Sequence, residues 1–196
     1  MKNSTARADQ RSLVRKRRVA GTIAMLLLLA ACGDGADAAT TSAPATTSTT
    51  TAPAQVEVTA IDFAFVGLPE RVAAGTTVTL INDSSVELHE LVAIRLPDDE
   101  ERTVEELIGA PGDLASYFPL VTTVLIAPPD EAGVAVEGTG QLNEPGRYAI
   151  ICAIPTGADP AEYMAAAAEA EGGPPDVAGG APHFVAGMYA ELIVEE

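Results

Sequence analysis

Short runs of alternating apolar and polar residues occupy much of the chain after residue 55. The clearest lie at 56–65, 76–81 and 89–95, and they are rich in β-branched, aromatic or other apolar residues. Alternation with period two predicts strands that bury one face. Weaker signals predict further strands at 120–126, 134–136, 140–142, 147–154 and 188–194. Many short strands separated by Gly and Pro indicate an all-β domain, either a sandwich or a barrel.

Two segments have the pattern of short helices instead. Thr103 and Glu106 have the spacing of a capping box, which predicts one or two helical turns after Thr103. Asp159 and Pro160 suit the N-cap and the first position of a second helix, expected over 160–171 and ended by a Gly-Gly-Pro-Pro run. This second helix interrupts an otherwise β-rich region.

The N-terminus has the pattern of an export signal. Residues 15–18 are all basic, and the apolar run at 19–31 is too short for a permanent membrane helix. The sequence Leu-Ala-Ala-Cys at 29–32 resembles the lipobox of bacterial lipoproteins. That resemblance implies a signal peptide at 1–31, lipid on Cys32, and an extracytoplasmic protein held to the cell membrane by this lipid alone. The alternatives are an ordinary signal peptide with an incidental Cys and a twin-arginine signal at Arg17-Arg18.

Composition then divides the remainder into a tether and a domain. Residues 32–55 are rich in Ala, Thr, Ser and Pro without apolar periodicity, which predicts a flexible tether. Residues 56–196 have the size of one domain, expected to be a monomer. After residue 31 the chain keeps four Arg, no Lys and 27 acidic residues, a net charge of −23. This charge disfavours nucleic acid and favours a basic protein partner, unless it serves solubility only.

The side chains that bind soft metals are few. The only His residues are His89 and His183, and the only Cys besides Cys32 is Cys152. If Cys32 carries lipid, Cys152 has no disulfide partner, and a free thiol in an oxidising compartment is unusual unless it is buried or metal-bound. Met188 adds a thioether five residues after His183. Two imidazoles, a thiolate and a weak thioether are the donors of a type 1 copper site.

Each donor also has a purely structural interpretation. A single His is most often a hydrogen-bonded polar group, and Met188 alone suits a hydrophobic core. Met164, in the predicted second helix, is interpreted as a packing residue. The copper hypothesis rests on the joint occurrence of all four donors.

The sequence from 56 to 196 resembles the cupredoxins, the superfamily of plastocyanin and azurin. The resemblance is carried by the segments Ile-Asp-Phe-Ala-Phe at 61–65, Gly-Thr-Thr-Val-Thr-Leu-Ile-Asn at 75–82, His-Glu at 89–90, Gly-Arg-Tyr-Ala-Ile-Ile-Cys at 146–152 and Pro-His at 182–183 with Met188. It implies a Greek-key β-sandwich with a short helix inserted in the C-terminal ligand loop and one further short helix.

The resemblance also implies a site and a function. His89, Cys152, His183 and Met188 would bind one copper ion that cycles between Cu(I) and Cu(II). Single electrons would pass to a redox protein through an exposed edge of His183. The sequence departs from the family in one respect, because thirty residues separate Cys152 from His183 where simple cupredoxins have only a few.

Other functions stay open at this point. The same domain could sequester or deliver copper, or act as a metal-free binding module. Cys152 could serve as a nucleophile with one of the His residues, although its apolar neighbours argue against this. The sequence singles out no carboxylate pair, Gly-rich phosphate loop or Cys-x-x-Cys motif, so an enzyme is not expected.

Overall fold

The computed structural model describes residues 54–170 and 173–196. The predicted signal peptide, Cys32 and the tether up to residue 53 lie outside these residues and stay predictions. The first strand begins at Gln55, one residue before the predicted start of the domain. None of the helices within the described residues is long and apolar enough to cross a membrane.

Two β-sheets form the described domain. The strands are β1 (Gln55–Ile61), β2 (Ala64–Val66), β3 (Arg71–Ala73), β4 (Thr76–Asn82), β5 (His89–Arg95), β6 (Val121–Ala127), β7 (Val134–Glu137), β8 (Gln141–Leu142), β9 (Gly146–Ile151) and β10 (Tyr189–Glu195). One sheet has the order β2-β1-β4-β8 and the other β3-β10-β9-β5-β6-β7. Strands β5, β6 and β7 are consecutive and antiparallel, and β9 returns to lie beside β5. That order is a Greek key.

The main hydrophobic core lies between the two sheets. Val58 and Leu80 of the four-stranded sheet belong to the same buried cluster as Leu91, Ile150 and Leu192 of the six-stranded sheet. Two sheets that share one apolar core make a β-sandwich. The all-β sandwich that the sequence predicted is therefore confirmed.

A second apolar cluster covers the other face of the six-stranded sheet. It joins Ile94 and Ile151 to Leu107 of helix α1 (Val104–Ile108) and Leu114 of helix α2 (Pro111–Ala115). Strand β5 is consequently buried on both faces, and six of its seven residues are buried. This double burial explains why the strand is nearly continuous in apolar residues instead of alternating.

The helices follow the sequence signals with one addition. The predicted capping box is present at the start of α1, where Thr103 and Glu106 exchange hydrogen bonds. Helix α3 (Pro160–Glu169) begins after Asp159, whose side chain caps it as predicted. The prediction of a single further short helix was wrong, because α2 follows α1. Its Pro-Gly start resembles a helix breaker in sequence, although Pro is well tolerated at the first helical position.

The predicted strand at 56–65 is a hairpin. Strand β1 ends at Ile61, and β2 pairs with it in antiparallel register from Ala64 onwards. Asp62 and Phe63 form the turn, and Phe63 has a left-handed φ of 61°, which is rare for a bulky residue. The alternation of apolar and polar residues runs through the turn without a Gly or Pro, so periodicity alone did not reveal it.

Candidate metal centre

The four predicted donors lie at one end of the six-stranded sheet. His89 is the first residue of β5, and Cys152 directly follows the last residue of its neighbour β9. His183 begins a 3₁₀ turn, and Met188 directly precedes β10, which pairs with β9. Neighbouring strands therefore bring together residues that are far apart in sequence.

The thirty-residue segment between Cys152 and His183 is closed at its base. Pro155 and Pro182 form an isolated β-bridge, and the Thr156 N–H donates to the Ala181 carbonyl at 3.1 Å. The N–H of His183 donates to the carbonyl of Ile154 at 2.9 Å. The two ends of the segment thus run side by side, so the segment projects from a hydrogen-bonded neck. This neck returns His183 to the site despite the long gap.

Three of the donors meet in the interior. The Nδ1 atoms of His89 and His183 are 3.2 Å apart, and the Cys152 Sγ lies 3.4 Å from the His183 Nδ1. All three donor atoms lie within 4.8 Å of one another, and all three residues are fully buried. Metal–ligand bonds of about 2.0–2.3 Å separate the ligands of a trigonal plane by roughly 3.5–4 Å. The observed spacing is close to that requirement.

The outer nitrogens of the two imidazoles face carboxylates. The His89 Nε2 lies 4.0 Å from the Asp62 carboxylate, and the His183 Nε2 lies 3.5 Å from that of Glu87. Neither Nε2 has a hydrogen-bond partner among the described residues. A nearby carboxylate favours the proton on Nε2, as it commonly does for metal-binding histidines. The Nδ1 lone pairs then point at each other and at the sulfur.

This arrangement suits a cation. Three buried lone-pair donors face one another, and in these tautomers no hydrogen lies between the two imidazoles. A metal ion at their centre satisfies all three at once. Imidazole and thiolate together favour copper or zinc, and two His with one Cys is the planar set of a type 1 copper site. The cluster fits a single copper ion.

Burial sets the protonation of the donors. It lowers the pKa of His89 to about 4, with a further lowering from His183 that the carboxylates of Asp62 and Glu87 oppose. Burial also lowers the pKa of His183, again against nearby carboxylates. Both imidazoles are therefore neutral at pH 7, which is the form that binds metals.

The Cys152 thiol has the opposite tendency. Burial, reinforced by the Glu90 carboxylate, raises the pKa of the thiol well above its ordinary value. A catalytic cysteine needs a lowered pKa and an electropositive, accessible surrounding. Neither condition is met at Cys152, so the geometry does not favour the nucleophile hypothesis.

Glu90 is a site residue that the sequence patterns did not predict. Its N–H donates to the Cys152 Sγ at 3.4 Å, and its carboxylate accepts from the Ala153 N–H at 2.9 Å and the Tyr163 hydroxyl at 3.0 Å. Burial raises the pKa of Glu90 to about 7, although both hydrogen bonds lower it. A charged residue inside the apolar run of β5 was the available sequence signal.

Met188 is held beside the other donors through its backbone. Its N–H donates to the His183 carbonyl and its carbonyl accepts from the Cys152 N–H, each at 3.1 Å. Its side chain is fully buried in the main core. Its role as a copper ligand stays a prediction. Met164, the other thioether considered, lies partly buried on helix α3, in agreement with a packing role.

The prediction of an exposed His183 edge was wrong. His183 is fully buried, and the ring of Phe63 packs edge-on against it with centroids 5.0 Å apart. The left-handed backbone of Phe63 belongs to the hairpin turn that carries this ring to the imidazole. The β1–β2 turn, which the sequence analysis interpreted as strand, is therefore part of the cover of the site.

The chain matches no protein-family model and no curated protein sequence. Similar solved structures include auracyanin A, a "blue" copper protein from the green thermophilic photosynthetic bacterium Chloroflexus aurantiacus, at 18% identity and a TM-score of 0.40 over 73% of this chain and 99% of that one. A dithionite-reduced auracyanin from Roseiflexus castenholzii is 16% identical, with a TM-score of 0.42 over 74% and 100% of the chains. Auracyanin B is 21% identical, with a TM-score of 0.40 over 74% and 92%.

A likeness at this level is too weak to indicate what the site binds. The fit to copper rests on the donor cluster itself. The two-sheet sandwich and the His–Cys–His cluster are the fold and the planar donor set that the resemblance to the cupredoxins implied.

Proposed function

We propose that this protein binds one copper ion through His89, Cys152 and His183, with Met188 as a weak fourth ligand, and transfers single electrons. The observation that carries the proposal is the meeting of two Nδ1 lone pairs and one sulfur in a fully buried position. Copper bound there would supply the redox chemistry by alternating between Cu(I) and Cu(II).

The protein's part is to hold the ligands still. His89 and Cys152 adjoin neighbouring strands, and backbone hydrogen bonds tie the segment around His183 and Met188 to Cys152 and Ile154. Strands and their ends position side chains more rigidly than free loops do. Ligands that do not rearrange suit electron transfer, because both oxidation states then share one geometry.

Electron transfer is favoured over copper delivery by the burial of the donors. A delivery protein needs a site from which the ion exchanges readily. Here Phe63, Asp62 and Glu87 lie over the imidazoles, and all three donors are inaccessible to solvent. We expect slow release of copper from such a site.

A partner is proposed to dock on exposed apolar and acidic residues that adjoin the site. Val86 and Val185 are 72% and 54% exposed and lie close in sequence to Glu87 and His183. Asp62 is the exposed acid of the hairpin turn. All four Arg of the described residues form ion pairs, so the remaining charge is acidic. A redox protein with a basic patch around an apolar centre would match this surface, and nucleic acid would not.

The proposed location is outside the cytoplasm. The basic and apolar segments at 15–31 and the lipobox-like sequence ending at Cys32 support export and lipid anchoring. Tether and lipid would leave the domain free to meet a partner near the membrane. Metabolic labelling with a fatty acid, lost in Cys32→Ala, tests the anchor independently of the copper site.

The copper proposal is tested by adding Cu(II) to the purified domain and recording its visible spectrum. We expect a strong thiolate-to-copper band at one equivalent that is absent in Cys152→Ser. The matched control adds Ser116→Cys to Cys152→Ser, which restores a thiol at an exposed position outside the donor cluster and should not restore the band. A wild-type protein without the band, or a band that survives in Cys152→Ser, would contradict the proposal.

A further inference from the structure

The segment between Cys152 and His183 places one side chain in the hydrophobic core beside the metal centre. Helix α3 has one fully buried side chain, Tyr163, and the rest of the helix is partly or fully exposed. Tyr163 belongs to the same buried cluster as Cys152 and Met188. The one fully buried side chain of the helix therefore lies in the core around the candidate ligands.

The Tyr163 hydroxyl has a specific partner in that core. It donates to one oxygen of the Glu90 carboxylate at 3.0 Å, while the Ala153 N–H donates to the other oxygen at 2.9 Å. Glu90 is only 3% exposed, and it forms no ion pair within the described residues. Two hydrogen bonds thus hold a buried carboxylate that lacks a cation, so losing either one would leave an oxygen unsatisfied.

Glu90 in turn contacts the thiol. Its backbone N–H donates to the Cys152 Sγ at 3.4 Å, and its carboxylate binds the residue that follows Cys152. One residue therefore fixes both the sulfur and the chain beyond it. Hydrogen bonds to a ligand sulfur and the orientation of that ligand tune a metal site.

A second contact joins the same segment to the other side of the site. The Gly157 N–H donates to the Glu87 carboxylate at 3.1 Å, and this carboxylate lies 3.5 Å from the His183 Nε2. Residues on both sides of His89 are thus held by the segment that separates Cys152 from His183. The segment therefore forms specific hydrogen bonds with residues next to a ligand and does not only cover the site.

We propose that Tyr163 is a positioning residue for the copper ligands: through the Glu90 carboxylate it fixes the N–H that faces Cys152 and the backbone that follows it. This inference rests on the proposed copper site. It gives helix α3 a role in setting the properties of that site. The long segment between Cys152 and His183 would then have a function.

The first test compares Tyr163→Phe with Tyr148→Phe. Tyr148 is an equally buried tyrosine whose hydroxyl donates to the Glu144 carbonyl at 2.8 Å, so each variant loses one hydrogen bond made by a buried tyrosine. We expect Tyr163→Phe to displace the thiolate-to-copper band and to release copper to a chelator at least threefold faster. It should change the ratio of Cu(II) to Cu(I) affinity at least threefold, about 28 mV in reduction potential. Tyr148→Phe should leave all three measurements near wild type.

Equal behaviour of the two variants would overturn the inference while leaving the copper proposal intact. Absence of the band in the wild-type protein would instead overturn the copper proposal. The two failures are therefore distinguishable.

The second test replaces Glu90 and holds even if Tyr163→Phe does not fold. Glu90→Gln keeps a side chain that can hydrogen-bond with Ala153 and Tyr163, whereas Glu90→Leu loses both bonds. We expect Glu90→Gln to keep the wild-type rate of copper release within threefold and Glu90→Leu to exceed it by at least tenfold. If the two variants release copper at the same rate, the hydrogen bonds do not position the site and the inference is wrong.

Discussion

Two polar clusters in this protein differ in how their groups are satisfied. The metal end contains His89, Cys152 and His183, whose donor atoms face one another in the interior. The arginine cluster lies around α1 and α2 and joins two Arg to acids, a phenol and backbone carbonyls. Its members are Glu100, Arg102, Asp113, Tyr117, Arg147 and Glu191.

In the arginine cluster each charge has an opposite charge as its partner. Arg102 binds Glu100 and Asp113, and Arg147 binds Glu191 and two backbone carbonyls. At the metal end three lone-pair donors, the two imidazole Nδ1 atoms and the Cys152 Sγ, face one another instead. A satisfied network stabilises the fold, whereas converging unsatisfied donors indicate a ligand. The comparison thus separates a structural cluster from a functional one.

The largest effect is expected when copper binds to the metal end. Free copper at 1,000 times its dissociation constant should raise the free energy of unfolding by about 4 kcal/mol. His183→Leu should lose nearly all of this gain. Without metal it should remain within about 1 kcal/mol of wild type, because an apolar side chain of similar size replaces a buried, poorly satisfied polar one. Urea unfolding with and without copper measures both quantities. If copper still stabilises His183→Leu as much as wild type, the His–Cys–His cluster is not the copper site.

Sequence patterns predicted the part of the fold that depends on local periodicity. Strands β4 and β5, the capping box of α1 and the N-cap of α3 all lie where the sequence placed them. The three residues of the His–Cys–His cluster could also be singled out, because the chain has so few His and Cys residues that each was conspicuous. Local signals and rare residue types were sufficient for these features.

The surroundings of the site depend on contacts between distant residues. Phe63 reaches His183, and Tyr163 reaches Glu90, across 120 and 73 residues. Neither pair has a local pattern, since one partner lies in an unrecognised turn and the other on an Ala-rich helix. The predicted exposure of His183 failed for the same reason. The carboxylates near the two imidazoles could not be predicted either, because the chain has 28 acidic residues and no pattern distinguishes Asp62 and Glu87 from the others.

A smaller effect is expected from the arginine cluster. Arg147→Met keeps an apolar side chain but removes the bonds to Glu191 and to the carbonyls of Glu100 and Arg102. We expect a loss of about 2–3 kcal/mol in the free energy of unfolding, because partly buried acceptors lose charged donors. The copper band should be unchanged.

The control for this variant is Arg71→Met. Arg71 and Glu195 form an ion pair whose side chains are 63% and 56% exposed, so the expected loss is below about 0.5 kcal/mol. Urea unfolding of the copper-free proteins gives both values. A loss of copper binding in Arg147→Met would show that the two clusters are coupled and would contradict their separation.

The sharpest contrast between the two clusters is in the pH dependence of the free energy of unfolding. Burial raises the pKa of Glu90 from 4.5 to about 7 in the folded protein, so copper-free wild type should lose stability relative to Glu90→Gln as pH rises from 4.5 to 7. The difference in the free energy of unfolding between wild type and Glu90→Gln should change by about 1.4 kcal/mol per pH unit. Titration of His89 and His183 is common to both proteins and largely cancels in this difference.

Glu191 should show the opposite pH dependence. Arg147 lowers the pKa of Glu191, so the stability that wild type has over Glu191→Gln should be lost as pH falls below 4.5. Unfolding curves at half-unit pH intervals test both signs, and slopes of the same sign would refute the assignment of one carboxyl to burial and the other to an ion pair.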